Sequence, residues 1–215
     1  MGRIVAIHKP VGMTSHDVID RVRAVTKERR VGHAGTLDPA AEGVLVVAIG
    51  RDATKQLSSV VAKEKEYCAT IKFGATSSTD DREGAIKEGI VRTTPSRVDV
   101  ELCIKRFVGT VMQVPPAYSA LKVKGVPAYA RARRGEVVVL GPRSVHIYTI
   151  DIVSYEYPVL VVRVVCGPGV YIRSLARDIG ECLGVGGYLL SLLRTRVGDF
   201  TIEEAIAIDA LKYAL

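Results

Sequence analysis

Residues 32–47 read GHAGTLDPAAEGVLVV, and the rest of the chain is organised around them. Two glycines, a histidine, a threonine and an Asp-Pro step come first, and an uninterrupted apolar run follows at residues 44–47. This composition predicts a polar loop held still by a buried strand, which is how side chains are presented to a ligand. Asp38 stands out. Pro39 biases its backbone away from helix, and Ala34, Gly35, Ala40 and Ala41 leave room for a molecule to approach. An Asp before Pro also serves as a plain turn-former whose carboxylate bonds nearby N–H groups. Turn and catalytic carboxylate both stand as readings of these residues alone.

Upstream, residues 3–8 alternate as a strand, and KPVGMTS at residues 9–15 turns the chain into a helix. Thr14 or Ser15 caps that helix, with Val18, Ile19, Val22 and Val25 on one face. Downstream, a helix is expected over 52–62, with residues 63–65 as its polar exit. Residues 66–73 alternate as a strand with Tyr67, Ala69, Ile71 and Phe73 on one face. Tyr67 is there either a core aromatic or a ring and hydroxyl shown to a cleft. Residues 74–89 read as a long polar loop with Asp80 and Asp81 in solvent. Ser96 and Asp99 mark the start of a helix carrying Val100, Cys103, Ile104 and Phe107 inward.

Strands are expected over 137–140, 145–155 and 159–166, the last almost wholly apolar and therefore central. After Gly167-Pro168-Gly169, a helix turns Ile172, Leu175, Ala176, Ile179 and Leu183 inward. Arg173 lies in its first turn. The helix dipole favours acids there, so this arginine is expected to meet a carboxylate or a phosphate. Residues 189–193 form a short apolar segment, 195–200 a strand and 202–215 a final amphipathic helix. Long strands with irregularly spaced helices predict an α+β fold with a mixed, largely antiparallel sheet flanked by helices.

The 215 residues are 48% apolar, enough for a sizeable core, and a single domain spanning 1–215 is expected. A net charge of +7 points to a polyanionic partner. Much of that charge falls in a segment at about 111–140. Lys122, Lys124, Arg131, Arg133 and Arg134 have no acid between them, and Tyr118 and Tyr129 lie among them. This suits gripping a phosphate backbone and stacking unpaired bases, with a basic surface hairpin as the plainer alternative. Cys68, Cys103, Cys166 and Cys182 lack Cys-x-x-Cys spacing, the histidines lack ligand spacing, and neither a Walker loop nor Gly-x-Gly-x-x-Gly occurs. The chemistry is therefore expected to need no metal and no other cofactor. No run approaches the roughly 18 apolar residues of a membrane span, and the N-terminus is too weakly apolar for a signal peptide, so a cytoplasmic protein is expected.

Six motifs, KPVGMTS (9–15), GHAGTLDP (32–39), KEY (65–67), PAYSALK (116–122), GVYIR (169–173) and LRT (193–195), together resemble the bacterial TruB family of tRNA pseudouridine synthases. The resemblance implies the pseudouridine synthase fold and isomerisation of uridine 55 in the tRNA T-loop to pseudouridine, without a cofactor. It makes Asp38 the essential carboxylate, ionised at neutral pH because an ordinary Asp titrates near about 3.9 and an adjacent arginine favours the charge. Arg173 would be its ion-pair partner. Tyr67 would stack on the target base and take the C5 proton, Tyr171 and Leu192 would line the uracil pocket, and His33 would enter the space the flipped nucleotide vacates. Lys9, Lys122, Lys124, Arg131, Arg133 and Arg134 are the expected RNA contacts. Family members usually continue into a small RNA-binding domain, PUA, for which no room remains after Leu215, leaving more of the binding to the basic segment. A stand-alone enzyme acting on the T-stem-loop is expected, with an RNA-binding module and a guide-RNA particle as the alternatives.

Overall fold

The computed structural model describes residues 2–123 and 125–215. Strand β1 (Arg3–Lys9) leads through a turn into helix α1 (Ser15–Thr26), followed by β2 (Val31–Ala34) and β3 (Glu42–Ile49). Two short helices, α2 (Arg51–Thr54) and α3 (Leu57–Val61), precede β4 (Lys65–Phe73) and the hairpin of β5 (Ala75–Ser77) with β6 (Ile86–Glu88). Next come α4 (Arg97–Lys105), β7 (Gly109–Gln113), the small ladder of β8 (Lys122–Val123) and β9 (Val126–Pro127), and α5 (Ala128–Ala132). The long strands β10 (Arg143–Glu156) and β11 (Val159–Cys166) are followed by α6 (Ile172–Cys182), β12 (Gly187–Val197), β13 (Phe200–Thr201), β14 (Ile206–Ala207) and α7 (Leu211–Ala214). The main sheet has the order β14-β1-β3-β12-β4-β11-β10-β7. It is mixed: β1–β14 and β3–β12 are parallel, whereas β1–β3, β2–β3, β7–β10 and β12–β13 are antiparallel. This is the predicted fold class.

The described chain forms two compact units. One comprises the segments through Cys68, Val164–Pro168 and Leu192–Leu215; the other comprises Ala69–Arg163 and Gly169–Ser191. In the first unit β3 is buried on both faces, which is why its sequence is continuously apolar. Leu45, Val47 and Ile49 pack with Ile7 of β1 and with Val18, Ile19 and Val22 of α1, while Val44 and Val46 pack the other way with Ala34, Val60 and Val197. Full burial of each such side chain is worth about 1.5–3 kcal/mol. α1 begins with a capping box: Asp17 N–H donates to the Thr14 side chain, and the Asp17 carboxylate accepts from Thr14 N–H. Parallel pairing sets Arg194 against Gly43 so closely that a Cβ at Gly43 would lie 2.2 Å from the Arg194 carbonyl oxygen. Only glycine fits there.

In the second unit α4 carries the predicted Ser96–Asp99 capping box and buries Val100, Cys103 and Ile104. α6 buries Ile172, Leu175, Ala176 and Ile179. Gly180 lets the start of β12 approach, since a Cβ there would lie 2.2 Å from the Gly187 nitrogen.

Several elements depart from expectation. Residues 31–34 are a strand rather than loop, paired to Val46–Ile49 of β3. The helix over 52–62 is broken in two; Thr54 and Ser59 hydroxyls bond the carbonyls of Arg51 and Gln56, competing with a continuous helix. Residues 137–140 form no strand, and Val137 and Val139 are 91% and 83% exposed. Residues 189–193 and 195–197 belong to one strand, β12. Most of 202–215 is not helical because Ile206 and Ala207 hydrogen-bond alongside β1. The segment 74–89 contains a hairpin, and Asp81 within it is buried.

Candidate active site

The loop between β2 and β3 carries Asp38, half-buried at the start of a tight turn in which the Ala41 N–H donates to the Asp38 carbonyl at 3.1 Å. Pro39 supplies the second position of that turn, where its fixed φ is suited. Three clamps hold the loop. The Ser15 hydroxyl accepts from Leu37 N–H at 2.9 Å and donates to Leu37 C=O at 3.0 Å. Gly12 N–H donates to the Pro39 carbonyl at 2.8 Å. Arg194 Nη2 donates to the Gly35 carbonyl at 2.9 Å. The turn supplying Gly12 is itself pinned by Lys9, whose Nζ donates to Pro10 O at 2.9 Å and Met13 O at 2.7 Å. Residues 9–15 and 32–39 thus form one structure: the Asp38 backbone makes the turn, and its neighbours fix its place.

Arg194 is the hub of this unit's polar interior. It is 1% exposed, and its Nε donates to Val44 O at 2.7 Å. Burial pushes the Tyr67 hydroxyl up, and Arg194 opposes that shift without reversing it. Burial likewise lowers Lys9 to about 8, against the pull of Asp38. Lys65, on the same buried face of β4 as Tyr67, is lowered by burial and by Arg194, and its Nζ donates to Val61 O and Lys63 O at 2.6 Å each. Residue 65 is therefore part of the interior, not a polar exit. His33 is lowered by burial first and then by Arg194 and His16, so its imidazole is neutral at physiological pH. Cys166 is pushed up to about 12 by burial. Lys9 is fully buried, which corrects the expectation that it contacts RNA: it organises the turn instead.

In the second unit Arg173 sits in the first turn of α6, 5% exposed. It meets a carboxylate, Asp81, at 3.6 Å, and donates to Thr79 O at 3.1 Å and Tyr118 O at 2.9 Å. Next to it, Arg177 joins Asp80 at 2.7 Å and Asp178 at 2.8 Å. Asp80 and Asp81, expected in solvent, are thus committed to arginines. Tyr171 caps α6 with its peptide bonded to Gln113. Leu192, in the first unit, is half-buried on β12. Of the basic segment, Lys122, Arg133 and Arg134 are exposed, with Arg133 5.5 Å over the Tyr129 ring. Arg131 is paired with Glu136 at 2.6 Å. Lys124 lies outside the described residues.

The structure therefore gathers Asp38, Tyr67, Lys9 and His33 in one unit, and Tyr171, Arg173 and the basic segment in the other. Arg194, Asp81 and Gln113 were not singled out from sequence as functional residues. Arg194 carried a signal, a guanidinium directly after the apolar run of its strand, whereas the other two carried none. Among the described residues no three or more His, Cys, Asp and Glu side chains are grouped to hold a metal ion, and no helix is long and apolar enough to cross a membrane.

Two family models match the chain: the TruB family pseudouridylate synthase N-terminal domain over residues 23–172, and the tRNA pseudouridylate synthase B C-terminal domain over residues 173–215. The chain is 45% identical over 216 residues to tRNA pseudouridine synthase B of Thermobifida fusca, covering 97% of this chain and 73% of that protein. It is 46% identical over 213 residues to the protein of that name from Corynebacterium efficiens, covering 97% and 71%. Among solved structures, Cbf5 complexes are similar. A Cbf5-Nop10-Gar1 complex matches with a TM-score of 0.76 at 29% identity, and an archaeal box H/ACA Nop10-Cbf5 complex with 0.72 at 26%. Each covers 98% of this chain, which spans only 54% and 52% of the matched chains.

Proposed function

The chain belongs to the TruB family of pseudouridine synthases, and from that premise we propose that it converts uridine 55 of the tRNA T-loop to pseudouridine. The glycosidic N1–C1′ bond breaks, the uracil turns within the site, a C5–C1′ bond forms, and the C5 proton leaves while N1 gains one. The observation that carries this reading is the triple clamp on the loop of Asp38, beside the buried Arg194. A carboxylate held in one place acts on a sugar or base without first losing conformational freedom.

Each remaining residue has a part. By resemblance Arg173 serves the Asp38 carboxylate, and its rigid anchoring on Asp81, Thr79 and Tyr118 suits a group that must not move. The buried ring of Tyr67 supports packing against the target base. Removal of the C5 proton by its phenolate works against burial, with Arg194 as the group that favours the phenolate. Tyr171 and Leu192 contact the flipped uracil. Extrusion of a base costs a few kcal/mol of stacking, and the planar neutral His33 suits refilling the gap. Lys122, Arg133 and Arg134 grip the RNA backbone, and no cofactor takes part. The enzyme acts in the cytoplasm on free tRNA. The Cbf5 structures favour a second reading, action within a guide-RNA particle, while the higher identity to the tRNA enzymes supports the stand-alone reading.

The test is tritium release from an unmodified tRNA transcript carrying uridine labelled at C5, with purified protein alone. Wild type is expected to release label from one T-loop uridine and Asp38→Asn to release none. Folded wild type that binds the tRNA but releases nothing would overturn the stand-alone reading.

A further inference from the structure

Gln113 ends strand β7, 3% exposed, and its side-chain amide is engaged on both sides by the backbone of one residue, Tyr171. Its Oε1 accepts from the Tyr171 N–H at 2.9 Å, and its Nε2 donates to the Tyr171 carbonyl at 3.1 Å. That carbonyl also accepts the first hydrogen bond of α6, from the Leu175 N–H at 3.1 Å. Tyr171 is the N-cap of α6, at φ −102° and ψ 112°, and its own side chain supplies no cap. A tyrosine hydroxyl is too far from the backbone to act as Ser, Thr, Asp or Asn does at that position. Gln113 reaches in from another element and accepts from the N–H of the N-cap residue, the bond that a side chain at the third helical position makes in a capping box.

Gln113 is itself fixed from α6. The next carbonyl, that of Val114, accepts from the Ser174 hydroxyl at 2.8 Å and from Arg177 Nη2 at 2.9 Å, and buried Pro115 and Pro116 follow. The end of β7 and the start of α6 are therefore cross-bonded in both directions. Rotation of the Tyr171 peptide would leave the buried Gln113 amide with lost partners, so the backbone that aims the Tyr171 ring and starts the turn bearing Arg173 has one favoured setting.

We infer that Gln113 is a positioning residue for the reaction, acting through the Tyr171 backbone to aim the Tyr171 ring and the first turn of α6 at the target uracil. The inference rests on the proposed role of Tyr171. Gln113 is buried, so tRNA affinity, which the proposed function assigns to the basic segment, is expected to be independent of it. A small misplacement of positioning groups costs up to about a hundredfold in rate.

The test compares Gln113→Met, which keeps length and burial but neither hydrogen bond, with Gln113→Glu, which keeps an acceptor for the Tyr171 N–H. In single-turnover tritium release, Gln113→Met is expected to lose about ten- to a hundredfold in rate with unchanged tRNA Kd, and Gln113→Glu to recover part of that loss. The Gln113→Met loss should shrink in a Tyr171→Ala background, because there is no ring left to aim. Amide hydrogen exchange at Tyr171 should speed up in Gln113→Met. An unchanged rate, or a loss of equal size with and without the Tyr171 ring, would overturn the inference. If wild type released no tritium, the proposed function would fall instead, and unchanged exchange at Tyr171 would separately refute the hold of Gln113 on that backbone.

Discussion

At the level of the single residue, the decisive group is Arg194. Its fork reaches Val44 O through Nε and Gly35 O through Nη2, tying β3 to the Asp38 loop from inside the unit. Lysine offers a single ammonium in place of the rigid fork, so Arg194→Lys leaves at least one buried carbonyl without its donor. We expect it to destabilise the protein by about 2–4 kcal/mol and to lower the thermal midpoint by about 5–10 °C. An unchanged midpoint in thermal unfolding would show that the fork is dispensable. In the sequence this residue stood only as the middle of the LRT motif, with no role assigned to it and its place unread. Alternation along β12 does not say which way Arg194 faces; the register that sets it against Gly43 does. Lys9 makes the same point in reverse. As a cation beside a loop it reads as an RNA contact, and only its burial and its two carbonyl partners make it a structural group.

Between elements, the turn of residues 10–13 and the first residue of α1 set the geometry of the Asp38 loop. Ser15 opens α1, yet its hydroxyl serves Leu37 twice, 22 residues away. Ser15→Ala leaves the N–H and C=O of buried Leu37 without that partner, at a cost of about 1–3 kcal/mol. The loop then loosens at the residue before Asp38. Amide exchange at Leu37 is expected to accelerate, and kcat to fall about tenfold or more with tRNA affinity kept. Fast exchange with wild-type kcat would mean that the loop need not be held for catalysis. The helix start was legible from Thr14 and Asp17, since a capping box is a local pattern. The strand at Val31–Ala34 was not, because a segment rich in Gly and Ala has little strand propensity and forms here by pairing back on β3 across the Asp38 loop.

For the whole molecule, charge governs binding to a polyanion. Arg133 and Arg134 are exposed, whereas Arg131 is already neutralised by Glu136. Removing both exposed arginines should reduce the slope of log K against log salt for tRNA by about 1–2, given roughly 0.7–0.9 per phosphate contact. Removing Arg131 should change it least. Filter binding over a salt series decides, and an unchanged slope for the double variant would place RNA contact elsewhere. The sequence by itself determined the fold class, the capping boxes, the alternating strand of Tyr67 and the Asp-Pro turn, because each depends on spacing over a few residues or on motifs that survive as short strings. It also carried the family, through six such strings in order. Tertiary contacts set which charges are buried, that Asp81 holds Arg173, that Gln113 brackets the Tyr171 backbone, and that residues 202–215 forgo a continuous helix to lay two residues beside β1. Those outcomes depend on partners tens of residues away, whose register and burial set the free energy that local propensity alone does not contain.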